Sequence, residues 1–174
     1  MATNHLEQLV AEWYEFKGYF IRRNVKVGRR ERGGYEGELD IVGFHPQQHH
    51  LIHIETSLDA ASWAVREEKY TKKFEVGKKY IPTLFKGLEL PTDIEQIAIF
   101  LFAAKQSRTT VGGRRIMLVS ELLEEIFHTL RSQSIYKNMI DEQKPILRTL
   151  QFVAEYRKHI FSALYGNDIG LSIE

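Results

Sequence analysis

Two short runs limit what this chain can build. Gly37-Glu38-Leu39-Asp40-Ile41-Val42-Gly43 and Leu51-Ile52-His53-Ile54-Glu55-Thr56-Ser57 are rich in aliphatic and β-branched residues, and the turn-prone Phe44-His45-Pro46-Gln47-Gln48-His49-His50 separates them. The pattern reads as two adjacent strands of one hairpin. Asp40 then lies inside the first strand and Glu55 near the end of the second, where pairing can set the two side by side. Carboxylates brought together in a sheet repel each other and lose hydration, so such a pair is retained where a divalent cation or a catalytic task requires it.

The flanking sequence supplies the rest of an α/β layout. Residues 5–17 carry Leu6, Leu9, Val10, Trp13 and Phe16 at the spacing of an amphipathic helix, and Gly18 follows as a stop. Residues 19–27, 35–44 and 50–56 predict three strands. Residues 59–80 predict a long helix, with Asp59 as its N-cap and Pro82 beyond it as a breaker. The apolar run at 96–103 fits a strand buried on both faces. A last short strand is expected at 114–119, reached through a loop at 107–113 whose Gly112-Gly113 pair marks a turn. Helices are expected at 121–130 and 140–165, with Pro145 in the first turn of the latter or interrupting it. Ile146, Leu147, Leu150, Val153, Ile160, Phe161 and Leu164 give that last helix an apolar stripe, and Phe152, Tyr156, Phe161 and Tyr165 read as packed aromatic rings. This order predicts an α/β sandwich with a mixed sheet.

Composition narrows the class. A chain of 174 residues is long enough for one ordinary core. It has no cysteine, which excludes disulfides, thiol catalysis and cysteine-ligated zinc and suits a reducing cytoplasm. No apolar run approaches the length of a membrane span, and the first residues lack the pattern of a secretion signal, so a cytoplasmic protein without a membrane partner is expected. The net charge of +1 is small, but its distribution is not even: Arg22, Arg23, Lys26, Arg29, Arg30 and Arg32 stand against the single acid Glu31. That segment suits phosphate contact just ahead of the acidic hairpin, and it equally suits a charged edge strand guarded against sticking. His45, His49, His50 and His53 match no metal-binding spacing and read as surface turn and cross-strand packing. Strand alternation puts Glu38 on the face of Asp40, with Leu39 and Ile41 on the other. Ser57 lacks the strand-turn-helix context of a nucleophilic serine.

The acid in one strand, the glutamate in the next and Glu7 on the first helix together resemble the PD-(D/E)XK nuclease superfamily. Its signature is an acidic residue on one strand and Glu-x-Lys on the following one. The likeness is greatest to the Holliday-junction-resolvase-like and Mrr-like branches, which add a helix glutamate and a Gly-Glu-Ile-Asp-type strand, and it spans residues 5–125. It implies a restriction-endonuclease-like three-layer sandwich, a central mixed β-sheet flanked by helices. The nuclease-like core would occupy residues 1–135, with 136–174 as a C-terminal helical extension packed on the same domain. It further implies Mg2+ or Mn2+ held by Glu7, Asp40 and Glu55, hydrolysis of phosphodiester bonds in DNA rather than RNA, and a homodimer where two strands are cut.

The chain departs from the signature at one place, because Ser57 stands where the lysine belongs. Serine cannot supply a positive charge. Either the lysine has moved to the following helix, or the domain keeps the fold without cleavage and binds nucleic acid or a protein partner. Arg66, Lys69 and Lys73 recur at three- and four-residue spacing and share one helix face, so Lys69 or Lys73 can take the catalytic role. Beside Glu67 and Glu68 the same residues can also form a solvated face. A structural subunit assembled through the C-terminal helix is a third alternative.

Overall fold

The structure is a computed structural model that describes residues 4–58, 60–101 and 108–166. In chain order its elements are α1 (His5–Phe16), β1 (Phe20–Arg29), β2 (Tyr35–His45), β3 (His50–Ser57), α2 (Trp63–Leu84), β4 (Glu95–Phe100), β5 (Thr110–Val111), β6 (Arg114–Leu118), α3 (Val119–Leu130), α4 (Pro145–Glu155) and α5 (Arg157–Tyr165). The six strands form one sheet in the order β1-β2-β3-β4-β6-β5. β1, β2 and β3 are antiparallel neighbours, β3, β4 and β6 run parallel, and β5 closes the far edge antiparallel to β6. A parallel β3–β4 pair requires a crossover, and α2 supplies it. The architecture is α/β, a mixed sheet flanked by helices, consistent with a three-layer sandwich.

α2 lies across one face of the sheet. Tyr70 and Phe74 pack with Ala98, Phe100, Val111 and Ile116 at one end, while Val76 and Ile81 pack with Val42, Phe44 and Leu51 at the other. Between these residues on β3 and β4, Ile52, Ile54, Ile97 and Ile99 point to the opposite face and are fully buried. α1 runs against β1 and β2 and buries Leu9, Val10 and Trp13.

Several boundaries differ from those expected. The N-cap of α2 is Ser62, and the expected cap Asp59 lies outside the described residues. Pro82 sits inside α2, which runs on to Leu84. A proline removes one donor there, so the helix ends within the next turn. Within the expected loop the short strand β5 pairs with β6 around Gly112 and Gly113, whose φ angles of 54° and 69° are those of a tight hairpin turn. Strict alternation also fails in β2, because Leu39 joins the same apolar cluster as Val42 and Phe44.

The chain divides into two compact units, Met1–Leu122 and Leu123–Glu174. The sheet belongs wholly to the first. In the second, the single helix expected at 140–165 is two, broken at Tyr156, with Pro145 in the first turn of α4. Buried Gln151 ties this unit together: its carbonyl accepts the Ile140 N–H at 2.9 Å and its amide donates to the Asn138 carbonyl at 2.7 Å. The break resets the helical phase, so the aromatic rings do not form the expected packed stripe. Phe152, Tyr156 and Tyr165 are 41%, 52% and 58% exposed. Among the described residues no helix is long and apolar enough to cross a membrane.

Candidate active site

The hairpin register brings the two acids together. β2 and β3 pair at Ile41 and Ile54, so the next step along the ladder sets Asp40 opposite Glu55. There the side chain takes over from the backbone: the Thr56 N–H donates to Asp40 Oδ2 at 2.9 Å. The ladder is interrupted on the other side too. β1 pairs Arg23 with Ile41 and Val25 with Leu39, and Asn24 between them adopts a φ of 51°. Asp40 therefore occupies a gap in both of its strand's ladders.

α2 completes the site. Its buried Tyr70, Phe74 and Gly77 fix which side faces the sheet, and Lys73 reaches from the margin of that side. The Lys73 ammonium donates to Asp40 Oδ1 at 3.1 Å and to Glu55 Oε2. The side chains of Glu55, Asp40 and Lys73 are 0%, 13% and 27% exposed, so the group runs from the core to solvent. A cleft of about 340 Å³, lined by Glu36, Gly37, Glu38, Asp40, Lys72, Lys73 and Val76, opens on it.

Electrostatics separates the two acids. Burial, and then the neighbouring Glu55 charge, raise the Asp40 pKa to about 7 against the pull of Lys73 and the Thr56 N–H. Burial also pushes Glu55 upward, but the His53 N–H and the Lys73 ammonium outweigh it, so Glu55 stays below its ordinary value. Burial lowers Lys73, yet the two carboxylates prevail and hold it above the usual lysine range. Lys73 is thus a fixed cation at neutral pH, and Asp40 is the member that exchanges a proton there.

The remaining expected site residues lie as follows. Glu7 is in the first turn of α1, where the Asn4 side-chain amide donates to its Oε1 at 2.6 Å. Glu7, Asp40 and Glu55 do not form a three-acid group, and among the described residues no three His, Asp or Glu are arranged to hold a metal ion. The Glu7 carboxylate is engaged instead by the side chain of the N-cap Asn4. Lys69 lies with its ammonium 5.9 Å from the Tyr70 ring centre, whereas Lys73 reaches the acids. Arg66 is buried, its guanidinium 4.4 Å from the centre of the Phe100 ring. Ser57 is buried at the end of β3, and its carbonyl accepts the Leu101 N–H at 3.1 Å. Glu38 is exposed and lines the cleft.

The basic residues keep to one edge. Arg22, Lys26 and Arg29 are exposed and Arg23 half-buried on β1, the edge strand beside the one carrying Asp40, and Arg30 and Arg32 lie exposed in its turn. Arg22 donates to the Leu84 carbonyl at 2.9 Å, and the Lys26 ammonium lies 5.8 Å from the Tyr35 ring centre.

The expected cross-strand packing of the histidines is present, His53 opposite Gln96 and His45 opposite His50, but the surface location fails for two of them. His53 is not surface turn but fully buried, bonded through Nε2 to Glu55 Oε1 at 2.8 Å and through Nδ1 to Gln96 at 3.0 Å. His45 is buried too, its Nε2 3.0 Å from the Lys17 carbonyl. His49 is a turn residue with a φ of 48°, whereas His50 opens β3 opposite His45 and contacts Tyr19 and Glu95. One signal in the sequence points toward the burial of His53, its place between Ile52 and Ile54. Its partner Gln96 is 43 residues away. No family model, curated protein or solved structure matches the chain.

Proposed function

We propose that this chain is a metal-dependent phosphodiesterase of the PD-(D/E)XK, restriction-endonuclease-like type, acting on DNA, with Lys73 in the role left open at Ser57. One observation carries the proposal: a lysine ammonium from the crossover helix meets both strand acids, at 3.1 Å from Asp40 Oδ1 and on Glu55 Oε2. A crossover helix between β3 and β4, with the acids on β2 and β3, supports the same fold type.

The donor set fits a hard divalent cation. Mg2+ is commonly held by one or two carboxylates, with water and phosphate oxygens completing the shell, so Asp40 on the open cleft with Glu55 buried behind it can suffice. Asp40 and Glu55 would hold it. The bound ion would supply charge neutralisation at phosphate and a more acidic water.

The chain's own groups do the rest. Lys73, held protonated by its two acids, acts as a donor and a charge rather than as a base. An ammonium has three N–H donors, so beyond its bonds to Asp40 and Glu55 one is left to bond a phosphate oxygen. The Thr56 N–H fixes the rotation of Asp40. Arg22, Arg23, Lys26, Arg29, Arg30 and Arg32 offer the flanking DNA backbone a row of cations.

The test is calorimetric titration with Mg2+ and Mn2+ beside a DNA cleavage assay. Asp40→Ala or Glu55→Ala should abolish metal-dependent cleavage with the fold intact. Lys73→Ala should lower it at least about a hundredfold. Unchanged cleavage in any of the three contradicts the site. DNA binding without cleavage under either metal points instead to a catalytically inactive nuclease-fold domain.

A further inference from the structure

Behind Glu55 runs a chain of hydrogen bonds whose far end settles the protons along it. Arg114 Nε can only donate, and it meets Gln96 Oε1 at 2.9 Å. The Phe74 carbonyl can only accept, and it meets Gln96 Nε2 at 2.9 Å. The Gln96 amide therefore has a single orientation. Its second N–H is directed to His53 Nδ1 at 3.0 Å, which makes that ring nitrogen an acceptor and puts the imidazole proton on Nε2. Nε2–H then donates to Glu55 Oε1 at 2.8 Å and leaves Oε2 to Lys73. His53, Gln96 and Glu55 are all buried, so water does not compete.

A second observation shows that the ring is built in. Gly77 lies inside α2, where glycine costs about 1 kcal/mol relative to alanine. A β-carbon at position 77 would collide with Cε1 and Nδ1 of His53. The helix comes this close because residue 77 has no side chain. Phe74 meets the same ring edge to face, with centres 5.7 Å apart.

We propose that His53 is the positioning residue for Glu55, held in one tautomer by Gln96 and Arg114 and in one place by Gly77 and Phe74. It touches neither substrate nor cation. Its Nε2–H holds one carboxylate oxygen, so that the other is presented to Lys73 and to the cation. Without that donor Oε1 is no longer held, and the Glu55 carboxylate is free to rotate about its bond to the ammonium. The inference rests on the phosphodiesterase proposal above.

The experiment compares the unaltered chain with His53→Phe, which keeps a ring and loses both nitrogens, and with His53→Gln, which restores one acceptor and one donor. Mn2+ affinity is read by calorimetry, DNA cleavage by kcat and KM, and the imidazole of the unaltered chain by 15N resonance. The expected result is a proton on Nε2 and a loss of about 10- to 100-fold in Mn2+ affinity and kcat for His53→Phe, with KM for DNA unchanged and most of the loss recovered in His53→Gln. Should His53→Phe not fold, Gly77→Ala, which displaces the ring, should show the same loss. A proton on Nδ1, or a folded variant with full affinity and kcat beside an active unaltered chain, overturns the positioning role alone. An unaltered chain that neither binds Mn2+ nor cleaves overturns the phosphodiesterase proposal and the role built on it.

Discussion

The two faces of β3 and β4 are made from alternate residues of the same strands, yet they are built on opposite terms. Away from α2 stand Ile52, Ile54, Ile97 and Ile99, none more than 1% exposed. Toward α2, between Leu51 at one end and Ala98 and Phe100 at the other, stand His53, Glu55 and Gln96, polar and at most 4% exposed. The apolar face gains from burial alone, on the order of 2 kcal/mol or more for each isoleucine. The polar face gains little, since paired buried charges barely recover their lost hydration, and it persists because every group has a partner. In the middle of these two strands the chemistry therefore lies on the α2 side, flanked by apolar clusters, while the other side is apolar throughout.

That division can be broken experimentally. The largest effect is expected on the apolar face: Ile54→Ala or Ile99→Ala should lower stability by about 2–5 kcal/mol, seen as a lower urea midpoint with unchanged slope. The folded fraction should bind Mn2+ as before, and a loss of binding in folded molecules would show that the faces are not separable.

On the polar face a gain is expected. The folded-state pKa of Asp40, about 7, lies above its ordinary 3.8, so the folded protein binds that proton more tightly and stability declines as pH rises through this window. Glu55 acts in the opposite sense, because its lowered pKa gives stability above 4.5 that is lost as pH falls below it. Asp40→Asn removes the first dependence and keeps the second. In the presence of a chelator the variant should exceed the unaltered chain by about 2–4 kcal/mol near pH 8 and match it near pH 4, as read from urea unfolding. A metal-free unaltered chain that grows steadily more stable across that window contradicts the assignment.

The smallest change in stability belongs to the edge. Arg29→Ala with Arg30→Ala should stay within about 0.5 kcal/mol of the unaltered chain, since both are exposed. The same pair should flatten the salt dependence of DNA binding by roughly one unit of slope for each phosphate that no longer meets a cation. An unchanged slope would leave β1 a guarded edge strand and nothing more.

Period and turn chemistry made the hairpin legible, and with it the meeting of Asp40 and Glu55, because a two-residue repeat fixes register once the turn is placed. The arrival of a lysine from the next helix was legible as two candidates, Lys69 and Lys73. Helix phase put both on one side, and only the packing of Tyr70 and Phe74 chose Lys73. What could not be read was decided by distant partners. His53 looks like one histidine of a turn cluster until Gln96 is beside it, and Gln96 looks like the start of an apolar strand. Leu39 departs from alternation where Asn24 interrupts the neighbouring strand, a backbone event that local propensity does not announce. Glu7 matched by position along its helix, but Asn4 claimed its carboxylate first.

The sharing of one ammonium between two carboxylates has a further consequence. With both acids ionised, the trio formed by Asp40, Glu55 and Lys73 carries one formal negative charge toward the cleft. A phosphodiester, also negative, is disfavoured there, while a divalent cation would reverse the sign. On the function proposed above, nucleic acid and cation are therefore linked ligands, and linkage is reciprocal: the factor by which DNA tightens Mg2+ must equal the factor by which Mg2+ tightens DNA. Neither affinity, measured alone, describes the working molecule.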